Sequence, residues 1–123
     1  MTQLKPQDLR YGNLIEAQEK IFTVKAIERF IVTATRGKGN VDFTYAEANP
    51  IPLTEEILLM AGFKHTGGGF YTHLPSLIQA CNIGDQFYNM GFKDANIGRF
   101  YYLNQLQNLF HSLTGEELEI NLK

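Results

Sequence analysis

Between Arg99 and Glu116 the chain has no Asp, Glu, Lys or Arg, and its apolar residues recur there with the period of an α-helix. At about 100° per residue, Tyr102, Leu103, Leu106, Leu109, Phe110 and Leu113 share one arc. Asn104, Gln105, Gln107, Asn108, His111 and Ser112 share the other. This pattern predicts an amphipathic helix that docks its leucine arc on a sheet and turns its amides to solvent. Each large side chain so buried contributes about 1.5–3 kcal/mol before conformational entropy is subtracted. Thr114 and Glu117 have capping-box spacing, which predicts a further short turn over LTGEELEI. LEINLK reads alternatively as a final strand, with Leu118, Ile120 and Leu122 alternating.

Little else in the chain reads as helix. Residues 14–35, LIEAQEKIFTVKAIERFIVTAT, collect β-branched residues and present two faces, Ile21, Thr23, Lys25 and Ile27 against Phe22, Val24 and Ala26. Two or three short strands fit them better than one helix. RGKGN, residues 36–40, is a loop between strands. VDFTYAE then alternates Val41, Phe43 and Tyr45 against Asp42, Thr44 and Ala46, a half-buried strand stopped by Asn49-Pro50-Ile51-Pro52.

The second helical segment is LTEEILLMAGF. Thr54 is the N-cap, and Glu55 and Glu56 occupy the first turn, where the helix dipole favours negative charge. Gly62 fits the left-handed position after the helix, with Phe63 folding back on Leu58. KHTGGG follows as a flexible turn. FYTHL, LIQACNI, QFYNMGF and IGRFYY are then separated by turn signals at Pro75, Gly84-Asp85 and Lys93–Asn96, which predicts an antiparallel meander.

The totals bound what such a chain does. At 123 residues it suits a single domain, 1–123, and 44% hydrophobic with 20% charged residues excludes disorder by composition. A net charge of −2 supplies no global field for nucleic acid or anionic lipid. A single cysteine, Cys81, precludes an intrachain disulfide and suits a reducing cytoplasm. No signal peptide is read at the N-terminus, and no apolar run reaches the roughly 20 residues of a membrane span. A cytoplasmic protein without membrane contact is expected.

Candidate chemistry is sparse. His65, His73, His111 and Cys81 lack ligand spacing, so neither metal nor other cofactor is expected. Cys81 lies in the apolar run LIQACNI and reads as a buried, inert thiol. No nucleophile elbow or phosphate loop occurs, and the adjacent pairs Glu55-Glu56 and Glu116-Glu117 do not face each other on a helix. A deep polar cleft gathering His73, His111 and a carboxylate is the arrangement that would mark an enzyme. The low-charge, aromatic-rich second half has the composition of an interface. The partner-binding candidates are therefore Asn104, Asn108 and His111, the expected exposed arc of the last helix. The partner is a protein or a second copy of the chain. The alternative is nucleic acid held by Arg36 and Lys38, with Lys25, Arg29 and the aromatics of FYTHL and RFYY nearby.

RFYYLNQLQNLFHSLTGEELEI, residues 99–120, resembles a family of small uncharacterised proteins from gut-bacterial, phage and mobile-element genomes. Its C-termini read (V/L)-H-x-L-Q-N-L-(Y/F)-x-x-L-T-G-x-E-L. Leu103, Leu106, Gln107, Asn108, Leu109, Phe110, Leu113, Thr114, Gly115, Glu117 and Leu118 match, while Asn104 stands where the pattern has His. LRYGNLI, residues 9–15, and PIPLTEEILLMAGF, residues 50–63, are similar to the family's opening and central helix. The resemblance implies a mobile-element or prophage setting and a cytoplasmic accessory role, with no activity or catalytic residue to carry over. LRYGNLI…IFTVKAI also looks like the first strands of small SH3-like barrels. The expected fold is α+β: a β-rich N-terminal half, SH3-like as a partial barrel, a short central helix, an antiparallel meander and the amphipathic C-terminal helix.

Overall fold

A computed structural model of the chain describes residues 4–37, 39–82, 87–93 and 95–121. It is α+β and rich in β, with two antiparallel sheets and two short α-helices. The chain has two compact units, Met1–Ile51 and Pro52–Lys123.

In the first unit, β1 (Leu14–Ala17), β2 (Lys20–Ile27), β3 (Ile31–Thr35) and β4 (Asn40–Thr44) make one sheet in chain order. The lead-in RYGN is a built turn. The buried Asn13 side chain accepts from the Arg10 amide at 2.7 Å, and its backbone carbonyl accepts from Val24 at 2.8 Å. Phe22 and Val24 point inward with Ile15, Val32, Ala34 and Phe43, and the Phe22 and Phe43 rings meet edge to face at 5.0 Å. The two faces expected for residues 21–27 do not persist along β2. A bulge between Val24 and Ala26 makes Lys25 the extra residue, so that Ile27, from the opposite alternation, packs on the same core.

β4 ends at Thr44, earlier than expected, because the Glu47 and Ala48 amides donate back to the Thr44 carbonyl. Phe43 and Tyr45 are inward as the alternation predicts; Val41 is exposed. Neither sheet closes into a barrel among the described residues. Glu16 of β1 and Asn49 exchange backbone hydrogen bonds at 2.8 and 2.9 Å.

The second unit begins with α1 (Glu55–Met60). Thr54 caps it by accepting from Ile57 at 3.2 Å. Its end is a full Schellman motif: Phe63 donates to Leu58, Gly62 donates to Leu59, and Gly62 takes φ +93°. β5 (Lys64–Gly67), β6 (Phe70–His73), β7 (Ile78–Asn82), β8 (Tyr88–Phe92) and β9 (Ala95–Phe100) then form the predicted meander, in chain order. Lys64–Thr66 are strand rather than flexible turn, with Lys64 opposite Thr72 and His65 opposite Tyr71. All of β5 is exposed, so no alternation betrays it. The expected Gly84-Asp85 turn lies outside the described residues.

α2 (Leu103–Thr114) is the predicted C-terminal helix. The Gln105 side chain accepts from the Tyr101 and Tyr102 amides and so caps its start. TGEE ends this helix instead of starting another. Gly115 takes φ +77° and donates to His111, while Thr114 Oγ1 donates to the Phe110 carbonyl and accepts from Glu116. Residues 117–121 are neither helix nor strand, which also removes the alternative final strand over its described part.

Candidate functional site

The amide arc of α2 is not the exposed face expected of it. Asn104 is only 4% exposed, and Asn108 and His111 are half-buried. The buried positions are Leu103, Asn104, Leu106, Gln107 and Phe110, a stripe turned from the leucine arc toward the amides. Leu113 is exposed in compensation. Asn104 is therefore an interior residue, and the three candidates do not make one solvent-facing patch.

Arg36 stands exposed in the β3–β4 turn, and Lys38 lies outside the described residues. Arg29 is at the other end of β3, its guanidinium 5.1 Å from the Phe30 ring centre. Five strand residues separate the two arginines, roughly 17 Å at about 3.3 Å each, so they form no continuous basic strip. Cys81 is half-buried rather than enclosed. Its neighbour across the β6–β7 pair, Phe70, is half exposed.

A concave arrangement of mixed chemistry lies in the second unit, around His73. β6 delivers this residue at its C-terminal end, where Leu74-Pro75-Ser76-Leu77 turns the chain into β7. The ring is wedged between Phe63 at 5.4 Å and Phe110 at 5.2 Å, and the residue is 9% exposed. The Ser76 amide donates to Nδ1 at 3.3 Å, and the Ser76 hydroxyl is 2.8 Å from the same atom. Nδ1 is thus an acceptor, and the proton belongs on Nε2. Ser76 Oγ also accepts from Ile78, so the pair closes the turn between the strands. Burial holds the imidazole below the ordinary histidine range.

His73 lines a cleft of about 660 Å³ with Met60, Gly62, Pro75, Phe110 and the C-terminal segment from Glu116 to Asn121. Gly62 packs beside the imidazole, and its positive φ rather than lack of room favours glycine there, since a Cβ would stand at ordinary contact distance, 3.4 Å, from the His73 ring. A second depression of about 620 Å³, lined by Glu55, Glu56 and Leu59, shares Met60 and Asn121 with the first. Above it, the Tyr71 hydroxyl donates to Glu55 at 2.5 Å. This bond, then burial, pushes the phenol up to about 12.

Of the arrangement expected to mark an enzyme, the cleft has His73 and carboxylates but not His111. His65 instead bonds through Nε2 to the Gly68 carbonyl within its own turn, at 2.6 Å. Among the described residues no group of three or more His, Cys, Asp and Glu is placed to hold a metal ion, and no helix is long and apolar enough to cross a membrane.

The neutral state of His73 has a measurable consequence. The unfolded chain takes up this proton near pH 6.5, whereas the folded chain does so only at lower pH. The stability this contributes is complete above about pH 6.5 and falls as pH drops below it. Thermal melts between pH 7.5 and about 5 are expected to show that decline, and His73→Phe to flatten it.

Sequence reasoning missed the cleft because its walls come from distant segments, residues 60–62, 73–75, 110 and 116–121. The available signal was His73 two residues before Pro75, at a strand end. No protein-family model, curated protein or solved structure matches this chain.

Proposed function

We propose that the protein is a non-enzymatic interaction module that binds a protein partner through the second unit's cleft. The observation that carries this reading is Leu77. It is 51% exposed and holds φ +66°, a left-handed conformation that costs a leucine about 1–2 kcal/mol. An exposed, strained leucine adds little to the core, and a binding surface gives it a use. Leu74, 53% exposed, flanks Pro75 in the same turn, and Leu59, 51% exposed, lines the adjoining depression. Leu74 and Leu77 belong to the same turn as Pro75, which lines the cleft, and exposed apolar side chains are the anchors partner proteins use.

The mobile-element or prophage setting and cytoplasmic accessory role implied by the C-terminal motif belong to the same proposal. So does an SH3-like partial barrel for the first unit, supported by four antiparallel strands in chain order and by the pairing of Glu16 in β1 with Asn49. Nucleic acid binding through Arg36 and Lys38 is the competing proposal; among the described residues, Arg36 and Arg29 stand at opposite ends of β3.

Photo-crosslinking in the native host tests the reading. A photoreactive residue at Leu59 is expected to give discrete protein adducts, and one at Val41 of β4 none. Equal labelling at both positions, nucleic-acid adducts, or no adduct at Leu59 would contradict it. Adducts with a second copy of the chain would support its self-associating form.

A further inference from the structure

We propose that the cleft of the second unit takes a peptide segment bearing Lys or Arg around an apolar anchor, one backbone carbonyl of which accepts the His73 Nε2–H. This partner chemistry rests on the interaction reading above.

Three observations converge on it. The first is charge. Glu116, Glu117 and Glu119 line the cleft, and Glu55 and Glu56 line the depression beside it. Residues 52–63 and 100–121, which supply most of these walls, contain those five glutamates and no Lys or Arg. Their field selects cationic side chains and speeds encounter more than it adds affinity. The second is the apolar surface between them. Met60 is common to both depressions, with Leu59 on one side and Phe110 and Pro75 on the other. A partner's aliphatic side chain placed there removes apolar area from water, which supplies the affinity that exposed ion pairs cannot.

The third observation is a directed hydrogen-bond donor. His73 is nine-tenths buried and lines the cleft, and both of its fastened polar contacts use Nδ1. Its Nε2 has no hydrogen-bond partner among the described residues. A peptide carbonyl is the neutral acceptor that meets a neutral Nε2–H, whereas a carboxylate ligand would face three glutamates. The occupant is therefore a basic segment entering by its backbone, not an acidic one.

The test titrates the ¹⁵N-labelled full chain with a short synthetic peptide carrying lysines on both sides of a Leu-Leu pair. Its counterparts carry glutamate for lysine, or Ser-Ser for Leu-Leu. The lysine peptide is expected to shift the amide signals of Met60, Gly62 and residues 116–121 and to move the His73 Nε2 resonance. Either counterpart is expected to bind at least about fivefold more weakly. Glu116→Lys with Glu119→Lys should weaken the lysine peptide by a similar factor of about five. Glu19→Lys with Glu28→Lys, the same charge change in the first unit, should alter its affinity by less than about twofold.

His73→Phe keeps a ring between Phe63 and Phe110 and removes the donor; should that variant fold poorly, the imidazole resonance of the unmodified chain reads the same contact. Equal binding of the glutamate peptide, shifts centred on the first unit, a silent His73 Nε2, or no binding at all would overturn the proposal. Protein adducts at Leu59 without lysine-peptide binding would spare the interaction reading and remove this partner chemistry. Lysine-peptide binding without adducts in the host would do the reverse.

Discussion

Phe63→Ala is expected to cost the second unit about 3–5 kcal/mol. The side chain is among the largest fully buried ones, and it occupies the position just after the Schellman glycine, where it closes the end of α1. Its ring is also one of the two that hold His73 in place. Truncation therefore opens a cavity and releases the imidazole together. Urea denaturation should show the midpoint falling, and NMR should show the depressed His73 titration moving back toward the ordinary histidine range. A loss below about 1 kcal/mol would mean that the ring is not packed as described.

Phe43→Ala should be of comparable size, about 3–5 kcal/mol, in the first unit. It removes the edge-to-face partner of Phe22 at 5.0 Å, from a core closed by Ile15, Val24 and Val32. Phe43 sits opposite Val32 in the β3–β4 register, so the cavity opens in the buried face where the edge strand β4 meets β3. If residues 1–123 fold as one domain, as the sequence reading expects, each substitution lowers the midpoint of a single shared transition. Two transitions, each moved by one substitution only, would count against that expectation.

How much of this was legible depends on how local the controlling physics is. Thr54 and Gly62 announce α1 because caps are made by the residues beside them, and the structure has both in their predicted roles. The meander was legible for the same reason, since Pro75 and Lys93 punctuate strands of ordinary length, although Ala95 and Asn96, expected in the turn, already belong to β9. Lys64–Thr66 escaped because an edge strand exposed on both faces carries no alternation. The bulge at Lys25 escaped because one extra residue reverses which face is inward without changing composition.

In α2 the period was right and Leu103, Leu106 and Phe110 are buried as expected, but the buried stripe is turned toward the amides. Helical spacing shows that a stripe will be buried, but which stripe depends on what the surrounding unit presents. Here it accommodates Asn104 and Gln107 and leaves Leu113 outside. TGEE illustrates a different ambiguity. Thr at one helix end can cap the next helix or close its own, and Gly115 in the left-handed region decides for closure. The candidate site lay beyond such reasoning, because α1, the β6–β7 turn and the C-terminal segment meet only in three dimensions. His73 alone pointed toward it.

On the proposed function, the exposed Leu59, Leu74 and Leu77 serve a partner rather than the fold. Leu77→Asn separates the two roles, because asparagine tolerates the left-handed backbone and offers no apolar anchor. The variant is predicted to keep its stability or gain up to about 1 kcal/mol, while photo-adducts at Leu59 in the host fall at least about fivefold. A variant that loses stability while keeping its adducts would contradict the claim and make Leu77 a structural residue.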